Sequence, residues 1–501
     1  MNTRKPNDFQ TKFLQIDELI RLGQVARART AVTLIKKSQI PRSAVYQWAN
    51  LQRRVGEVEA SLRSLRQVVR PDQGIVAVPT DLENCEYAAG LITVGAFREA
   101  YALLDGCNED TGLAQFYKSL GLIREYRFQE AVQELKSVIE QSTLEEYRSL
   151  TAQVNLISCF IALDLLSEAD TWIRKVEDQL AETDFQLLKG NLLELKGQRQ
   201  FASGNFEDSE EFLKNSSLTL GEANSIHTLS VEKWKILSRA YRGKATDENF
   251  ARLRELARQN ENWDLLREAD FHEGISKRDT NLLSRVYYGT PFLNYRNKLL
   301  QFSKDFFEVP DQFSYADSPK TFSATPFNLL SCTFADVDSS VTRGQKLHMF
   351  LVKLLSDFYR PSLNGAIFDF LYPGEFFDPL IAKRRIANIY IRIREFFKEQ
   401  LPSWQLVESE KSYRILPGSD VAVQIEKPLL TFRYEGPDQF ELYYFQIRSG
   451  KKSFHKQDLK DHNHLKETQV KEVLQWGVQN ERLQKTTNGR QVLYSLIETD
   501  K

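Results

Sequence analysis

The sequence predicts a mainly α-helical protein in which a long helical solenoid precedes two small α+β domains. Three observations support this fold class. A packing pattern recurs six times before residue 221, and three amphipathic helices followed by two strands lie between residues 347 and 416. A similar order of elements returns before the C-terminus. A chain of 501 residues is long enough for about three domains.

The recurring pattern has a fixed internal spacing. A small or turn residue is followed two positions later by an apolar residue, five later by Ala or Ser, and nine later by an aliphatic residue. The six copies are Gly23-Val25-Ala28-Val32, Gly56-Val58-Ser61-Leu65, Gly95-Phe97-Ala100-Leu104, Tyr126-Phe128-Ala131-Leu135, Asp164-Leu166-Ala169-Ile173 and Gly204-Phe206-Ser209-Leu213. The glycine allows a turn, the small residue permits close helix approach, and the aliphatic residue fills the groove between neighbours.

This pattern resembles the tetratricopeptide repeat, a unit of ~34 residues and two antiparallel helices. Successive copies here lie 33, 39, 31, 38 and 40 residues apart. The resemblance implies a tetratricopeptide-like solenoid over residues 1–305, with capping helices after residue 225. It also implies a concave surface, where such arrays hold a protein or peptide partner.

Residues 306–326 contain prolines together with Ser, Asp and Thr clusters, and we interpret them as a linker. Short apolar runs at 327–330, 332–334 and 341–344 then predict strands. Leucines at helical spacing from Leu347 predict a first helix, and residues 363–371 predict a second. Asp378-Pro379 opens a third helix with a capping residue and a first-turn proline. Residues 404–407 and 413–416 predict a hairpin.

The third helix has two distinct faces. Its apolar residues predict a buried stripe, formed by Ile386, Ile389, Tyr390, Ile393 and Phe397. The residues away from that stripe are Arg384, Arg385, Asn388 and Arg392, with Ile391 at its edge. Guanidinium and amide groups are the side chains that recognise guanine and adenine in the DNA major groove. This helix is therefore the candidate DNA-reading element.

Three short motifs carry a family resemblance: Leu371-Tyr372-Pro373, Ile391-Arg392-Ile393-Arg394 and Ser412-Tyr413-Arg414-Ile415. They resemble the effector domain of OmpR/PhoB-type response regulators and the related SARP-like antibiotic-pathway regulators of actinobacteria. The resemblance implies a winged helix over residues 327–425, with the third helix in the major groove and Arg414 on the wing. The sequence departs from that family in lacking wing glycines and in placing Glu395 on the outward face.

Residues 430–501 have a second winged-helix outline, similar to MarR-like domains. A helix from residue 468 would present Thr468, Gln469 and Lys471 to DNA. Asn488-Gly489 is a strong hairpin signal, and Lys485 and Arg490 would lie on that second wing. Glu467 and Glu472 oppose contact with phosphate, so a dimerising or domain-packing role stays open for this domain. A homodimer is accordingly one expected state.

The charge distribution and the short motifs limit the classes of function that the sequence predicts. The formal net charge is -1, yet residues 341–400 hold 10 Lys/Arg against 6 Asp/Glu, and residues 451–490 hold 9 against 5. Such local basic excess favours nucleic-acid binding. Residues 449–453 lack the glycine spacing of a P-loop, and the spacing of His455, His462 and His464 does not favour a zinc site. We therefore expect no catalytic site, cofactor or metal.

The four cysteines, Cys85, Cys107, Cys159 and Cys332, show no paired spacing and are expected to be reduced core residues. The N-terminus has no apolar signal segment, and no apolar run reaches the ~20 residues of a membrane span. The sequence thus predicts a cytoplasmic transcription regulator whose repeats sense a protein or peptide and whose winged helices bind double-stranded DNA. The alternative is a non-enzymatic scaffold that uses both kinds of module for protein docking.

Overall fold

The computed structural model describes residues 8–21, 24–71, 78–108, 112–141, 144–221, 226–244, 247–317, 325–489 and 491–497. Contacts divide the chain into two compact units. The first comprises residues 1–283 and 292–306, and the second comprises residues 284–291 and 307–501. Helices build the first unit, and small sheets appear only toward the C-terminus of the described residues. The predicted fold class is confirmed.

The helices up to residue 303 follow one another along the chain. They are α1 Asp8–Arg21, α2 Val25–Thr33, α3 Val45–Arg54, α4 Val58–Val69, α5 Asp81–Val94, α6 Phe97–Asp105, α7 Leu113–Arg124, α8 Phe128–Gln141, α9 Glu146–Ala162, α10 Leu166–Ala181, α11 Gln186–Ala202, α12 Phe206–Leu220, α13 Ile226–Arg239, α14 Asp247–Gln259, α15 Trp263–Lys277, α16 Thr280–Tyr288 and α17 Leu293–Ser303. A short π-helical stretch, Ala240–Lys244, extends α13.

The repeating sequence pattern marks the second helix of each pair. Helices α2, α4, α6, α8, α10 and α12 each begin at the apolar residue two positions after the turn residue. The turn residue has a left-handed φ in the five copies that the structure describes: Gly56, Gly95, Tyr126, Asp164 and Gly204. The Ala or Ser five positions on is 0% exposed in every copy. The predicted packing role of that small residue is confirmed.

The odd-numbered helices form a second layer. Helix α5 contacts both α3 and α7, and α11 contacts both α9 and α13, in addition to their even-numbered neighbours. An odd helix is therefore enclosed on more sides than an even one. In a stacked helical array, the layer of helices that contact one another most closely lines the concave side.

The C-terminal helices of the first unit fold back onto an earlier repeat. The Tyr126 ring, in the turn after α7, stacks on Phe292 at 4.7 Å and meets Tyr295 edge-on at 5.4 Å. The Asn294 side-chain amide donates to the Tyr126 carbonyl oxygen at 2.8 Å. The array is consequently closed between α7 and α17 by an aromatic cluster.

The second unit begins with a five-stranded sheet and a three-helix module. Its first elements are β1 Gln312–Tyr315, β2 Phe327–Asn328, β3 Thr333–Phe334, β4 Val337–Asp338, α18 Lys346–Leu355, β5 Ser362–Leu363, α19 Asn364–Leu371, α20 Pro379–Gln400, β6 Gln405–Glu408, β7 Ser412–Leu416 and β8 Val423–Glu426. The larger sheet has the order β1-β8-β2-β3-β4, and the smaller one has the order β5-β7-β6. We call α18–α20 with β5–β7, together with the turn 341–345 that leads into α18, the first module.

Two details differ from the sequence prediction. Residues 312–315, inside the expected linker, form β1 and pair antiparallel with β8, with Tyr315 opposite Val423. Residues 341–344 were expected to be a strand but form a turn, because Gly344 has a φ of +73° and the Gln345 amide donates to the Thr342 carbonyl. The last strand before α18 is β4 instead.

The second module has its own core. Its elements are α21 Pro437–Ser449, β9 Ser453–Phe454, α22 Lys456–Asn463, α23 Glu467–Gln479, β10 Leu483–Asn488 and β11 Gln491–Leu496. Strands β10, β11 and β9 form an antiparallel sheet, and Asn488 pairs with Gln491 next to Gly489. Buried residues of all three helices pack around Phe445 and Val473. The predicted Asn-Gly hairpin is therefore present.

An ion pair joins the two modules. The Arg343 guanidinium donates to both carboxylate oxygens of Glu441, at 3.2 and 2.9 Å, and to the Asn463 carbonyl oxygen at 3.1 Å. The Tyr444 ring lies 3.8 Å from the guanidinium carbon. The charge is thus satisfied on several sides, as a largely buried guanidinium requires.

His348 is a buried neutral side chain beside this ion pair. Its Nδ1 accepts from the Gly344 amide at 2.9 Å, and its Nε2 lies 2.6 Å from the Leu329 carbonyl oxygen, to which it donates in the neutral tautomer. Burial lowers the pKa of His348 to about 4, although the bond to Leu329 opposes that change. Protonation would place a proton on the nitrogen that accepts from Gly344.

We predict that Ala131→Leu destabilises the first unit by about 1–3 kcal/mol, because a larger side chain must fit where the helices are already in contact. Ala131 is 0% exposed. The apparent free energy of unfolding of the full chain, from urea titration followed by circular dichroism, measures the effect. Gln129→Leu on the exposed side of α8 is the control and should stay within about 0.5 kcal/mol of wild type. Equal effects of the two variants would contradict the packing argument.

We also predict that the second unit loses stability as the pH falls from 6.5 to 4. The folded-state pKa of His348 is below its unfolded value, so this contribution is complete above pH 6.5 and disappears through about pH 4. The loss can reach about 3 kcal/mol. Thermal unfolding across this pH range should show a shallower decline for His348→Gln than for wild type. His464→Asn, at an exposed histidine, should keep the wild-type decline; an unchanged slope in His348→Gln would refute the assignment.

Candidate nucleic-acid interface

Helix α20 is fixed from one side only. Asp378 caps it by accepting from the amides of Leu380 and Ile381, and Pro379 occupies the first turn. Its buried residues are Pro379, Ala382, Ile386, Ile389, Ile393, Phe396 and Phe397. Burial along one face leaves the opposite face of the helix exposed. The predicted stripe is present, although Tyr390 is only half-buried.

Three predicted residues come together on that exposed face. Arg384, Asn388 and Arg392 are exposed and follow one another at four-residue intervals. Within the described ranges, no hydrogen bond or ion pair engages these three side chains. Residues four apart on a helix lie about 6 Å apart along its axis. Ile391, 55% exposed, lies on the same side. The face therefore offers two guanidinium groups, an amide and an apolar side chain to an external ligand.

Arg385 does not join this group. Its Nη1 donates to Glu375 Oε2 at 2.5 Å, and its guanidinium carbon lies 4.8 Å from the centre of the Tyr372 ring. The partner carboxylate belongs to the loop before α20. The expectation that Arg385 contacts DNA therefore conflicts with an intramolecular ion pair that would have to break first.

Arg414 lies on the predicted hairpin but away from its tip. It lies in the middle of β7 and is half-buried, whereas its neighbours Tyr413 and Ile415 point into the core. Burial raises the pKa of Tyr315 to about 12, and the charge of Arg414 opposes that rise, so the two side chains are close. The tip of the hairpin is formed instead by Ser409, Glu410 and Lys411. Arg414 thus lies apart from the exposed face of α20.

The predicted DNA-binding residues of the second module are exposed, and both acidic and basic side chains lie among them. Thr468, Gln469 and Lys471 lie on the solvent side of α23, and Lys485 is exposed on β10. The Gln469 side-chain oxygen is already engaged, because it accepts from the Lys466 amide at 2.9 Å. Glu467 pairs with Lys456, and this bond lowers the pKa of its carboxyl. Arg490 lies outside the described residues.

Sequence reasoning missed an apolar group beside this face. Phe376, Leu380 and Ile381 are 61%, 65% and 48% exposed, at the start of α20 and in the loop before it. Their signal is visible in the sequence, since apolar residues at 380 and 381 fall outside the buried stripe. Exposed apolar side chains grouped in this way commonly mark a contact surface.

The inner layer of the first unit carries polar side chains on successive helices. Asn50 and Arg53 of α3 donate to the buried Glu86 of α5, at 2.8 and 2.6 Å, and Tyr117 of α7 donates to it at 3.0 Å. Further along, the side-chain oxygen of Gln153 on α9 is buried without a hydrogen-bond partner within the described residues. The same is true of Asn191 on α11. Both oxygens lie below the solvent-accessible surface, and the Asn191 amide nitrogen lies 3.5 Å from His227 Nε2.

No grouping of three His, Cys, Asp or Glu side chains suited to a metal ion occurs among the residues that the structure describes. In the same part of the chain, no helix is both long and apolar enough to cross a membrane. All four cysteines are free thiols, and Cys107 is only half-buried, in contrast to its expected core position.

Fold and site together define a helical-repeat protein with two C-terminal α+β modules. The sequence matches no protein-family model and none of the curated proteins. Among solved structures, it is similar to Rap protein complexed with competence and sporulation factor, at 13% identity and a TM-score of 0.41 over 59% of this chain and 88% of the other. The apo form of RapI gives 11% identity and a TM-score of 0.37, covering 59% and 94%. Aspartyl phosphate phosphatase F from Bacillus subtilis gives 15% and 0.37, covering 61% and 89%.

Proposed function

We propose that this protein is a transcription regulator that binds double-stranded DNA through the exposed face of α20. The observation that carries the proposal is the set of Arg384, Asn388 and Arg392, three exposed side chains at helical spacing with no hydrogen-bond or ion-pair partner within the described residues. Helix α20 itself has six Lys/Arg against two Asp/Glu. The order of the elements also supports the proposal, since three helices followed by a hairpin is the arrangement of a winged helix.

The chemistry of the face fits the edges of DNA bases. Arginine recognises guanine through two hydrogen bonds, asparagine recognises adenine in the same way, and an apolar side chain contacts the thymine methyl group. Arg392, Asn388 and Ile391 supply these three kinds of group within about one helical turn. Arg384, nearer the start of the helix, is suited to a phosphate or a guanine.

The repeat unit is proposed to bind an extended peptide or a protein segment. Gln153 and Asn191 support this, because their buried side-chain oxygens lie on adjacent inner helices and lack a hydrogen-bond partner within the described residues. Outward rotation of these side chains would present both oxygens to the amide donors of an extended backbone. The free thiols support a reducing compartment, so we place the protein in the cytoplasm. The ligand would then act on the DNA-binding unit, which makes the protein a sensor rather than an enzyme.

A second candidate function is protein docking by the same helix. Phe376, Leu380 and Ile381 favour it, because large exposed apolar side chains at one end of the face are suited to an apolar partner surface. The two functions differ in their response to salt. Phosphate neutralisation releases counterions and makes binding weaken steeply with salt, whereas apolar docking does not.

We predict that Arg392→Ala weakens binding to a specific duplex by about 1–3 kcal/mol while leaving stability unchanged, because Arg392 is exposed and contributes to base recognition. A duplex selected from a random-sequence library with the full-length protein serves as the probe, and fluorescence anisotropy gives the affinity. Arg384→Ala should weaken binding to all duplexes and make the salt slope shallower by about one.

Lys383→Ala is the matched control, because Lys383 is exposed on the same helix but lies roughly 180° around the axis from Arg392. It should retain the specificity of the wild type. If no duplex shows salt-dependent binding, the DNA proposal is wrong. Leu380→Ser together with Ile381→Ser should then abolish a salt-insensitive protein interaction.

A further inference from the structure

Two cysteines that are far apart in the sequence meet in the third helix pair. Cys85 lies in the second turn of α5, and Cys107 lies two residues after the end of α6. Their sulfur atoms are 3.8 Å apart. Cys85 is fully buried and Cys107 is half-exposed. The function proposed above uses neither thiol.

We propose that Cys85 and Cys107 form a redox modification site that a peroxide converts to an intramolecular disulfide. The sulfurs are in van der Waals contact, and the disulfide length of about 2.05 Å requires them to approach by less than about 2 Å. Cys107 lies beyond α6, and its amide donates to the Leu104 carbonyl oxygen at 3.2 Å. Rotation of its side chain can bring the sulfurs together while this backbone bond stays in place. Neither Cys159 nor Cys332 is hydrogen-bonded to another thiol among the described residues, which makes them internal controls.

The two thiols are chemically unequal. The Cys85 thiol donates to the Cys107 sulfur, and this bond lowers the pKa of Cys107, although burial and the Asp81 carboxylate oppose the change. The same bond, followed by burial, raises the pKa of Cys85. The more exposed thiol is therefore the more readily ionised one, and a thiolate is the form that reacts with peroxides.

The reaction divides into two balanced steps. The Cys107 thiolate attacks one oxygen of hydrogen peroxide, the O–O bond breaks, and hydroxide leaves, so the sulfur becomes a sulfenic acid and the peroxide is reduced. The Cys85 sulfur then attacks the Cys107 sulfur, its proton and the hydroxyl leave as water, and the S–S bond forms. A dithiol restores both thiols. The bond would tie the start of α5 to the end of α6, joining residues that are 22 positions apart.

The test uses full-length wild-type protein and hydrogen peroxide. We expect oxidation to lower the thiols that react with N-ethylmaleimide after denaturation from four to two, with a mass loss of about 2 Da for the two thiol protons and electrons. Trypsin separates the two cysteines at Arg98, so a joined pair of peptides identifies the bond. Dithiothreitol should restore all four thiols.

Variants separate the two steps. Cys85→Ser should stop at a Cys107 sulfenic acid that dimedone traps, Cys107→Ser should form no disulfide, and Cys159→Ala should leave the reaction unchanged. The proposal fails if Cys107 in the wild type is oxidised while Cys85 stays alkylatable, if the disulfide joins two chains, or if Cys159 reacts as fast as Cys107. The wild-type measurement is decisive even if a variant does not fold.

Discussion

A fully buried small side chain on the second helix of each pair sets the geometry of the repeat unit. Six such residues are inaccessible to solvent, and each lies three residues into its helix, where the partner helix crosses. The first helices of the pairs also carry small residues where they contact the second helices. A methyl group at Gly90 would approach Leu62 to 2.8 Å, and one at Gly197 would approach Leu213 to 2.7 Å. Close helix approach therefore depends on small residues in both layers, and the aliphatic positions fill the space that results.

This constraint explains why so much of the repeat unit was predictable. The residues that determine the repeat lie within nine positions of one another. One spacing in the sequence therefore specifies the turn residue, the small residue at the helix contact and the aliphatic residue that fills the groove. Tyr126 shows the limit of that reasoning. It occupies a turn position that glycine fills in four of the six copies. Its ring packs against Phe292, and its carbonyl oxygen accepts from Asn294, 168 residues later. A contact over that distance leaves no local spacing to recognise.

In the candidate interface, too, the sequence predicted some features and missed others. Helical periodicity placed Arg384, Asn388 and Arg392 correctly on the exposed side of α20, because one buried stripe determines the opposite face. Periodicity does not determine what else a side chain meets. Arg385 is held by Glu375 from a preceding loop, and Arg414 lies half-buried in the middle of β7, on the face opposite to Tyr413 and Ile415. The sulfur contact between Cys85 and Cys107 was missed for a related reason, since it depends on how two helices of one pair are joined.

The ion pair between Arg343 and Glu441 connects the two modules of the second unit. The Arg343 and Glu441 side chains are only 16% and 12% exposed, so separating the modules would leave two charges in an apolar setting. Breaking a buried ion pair lowers the stability by more than forming it raises the stability, because the buried charges are left unpaired. The turn before α18 is thus held against α21 and α22. Near the start of α23, Glu467 pairs with Lys456, whereas Arg384 and Arg392 of α20 have no ion-pair partner within the described residues. Under the DNA-binding proposal, electrostatic attraction would therefore act mainly at α20.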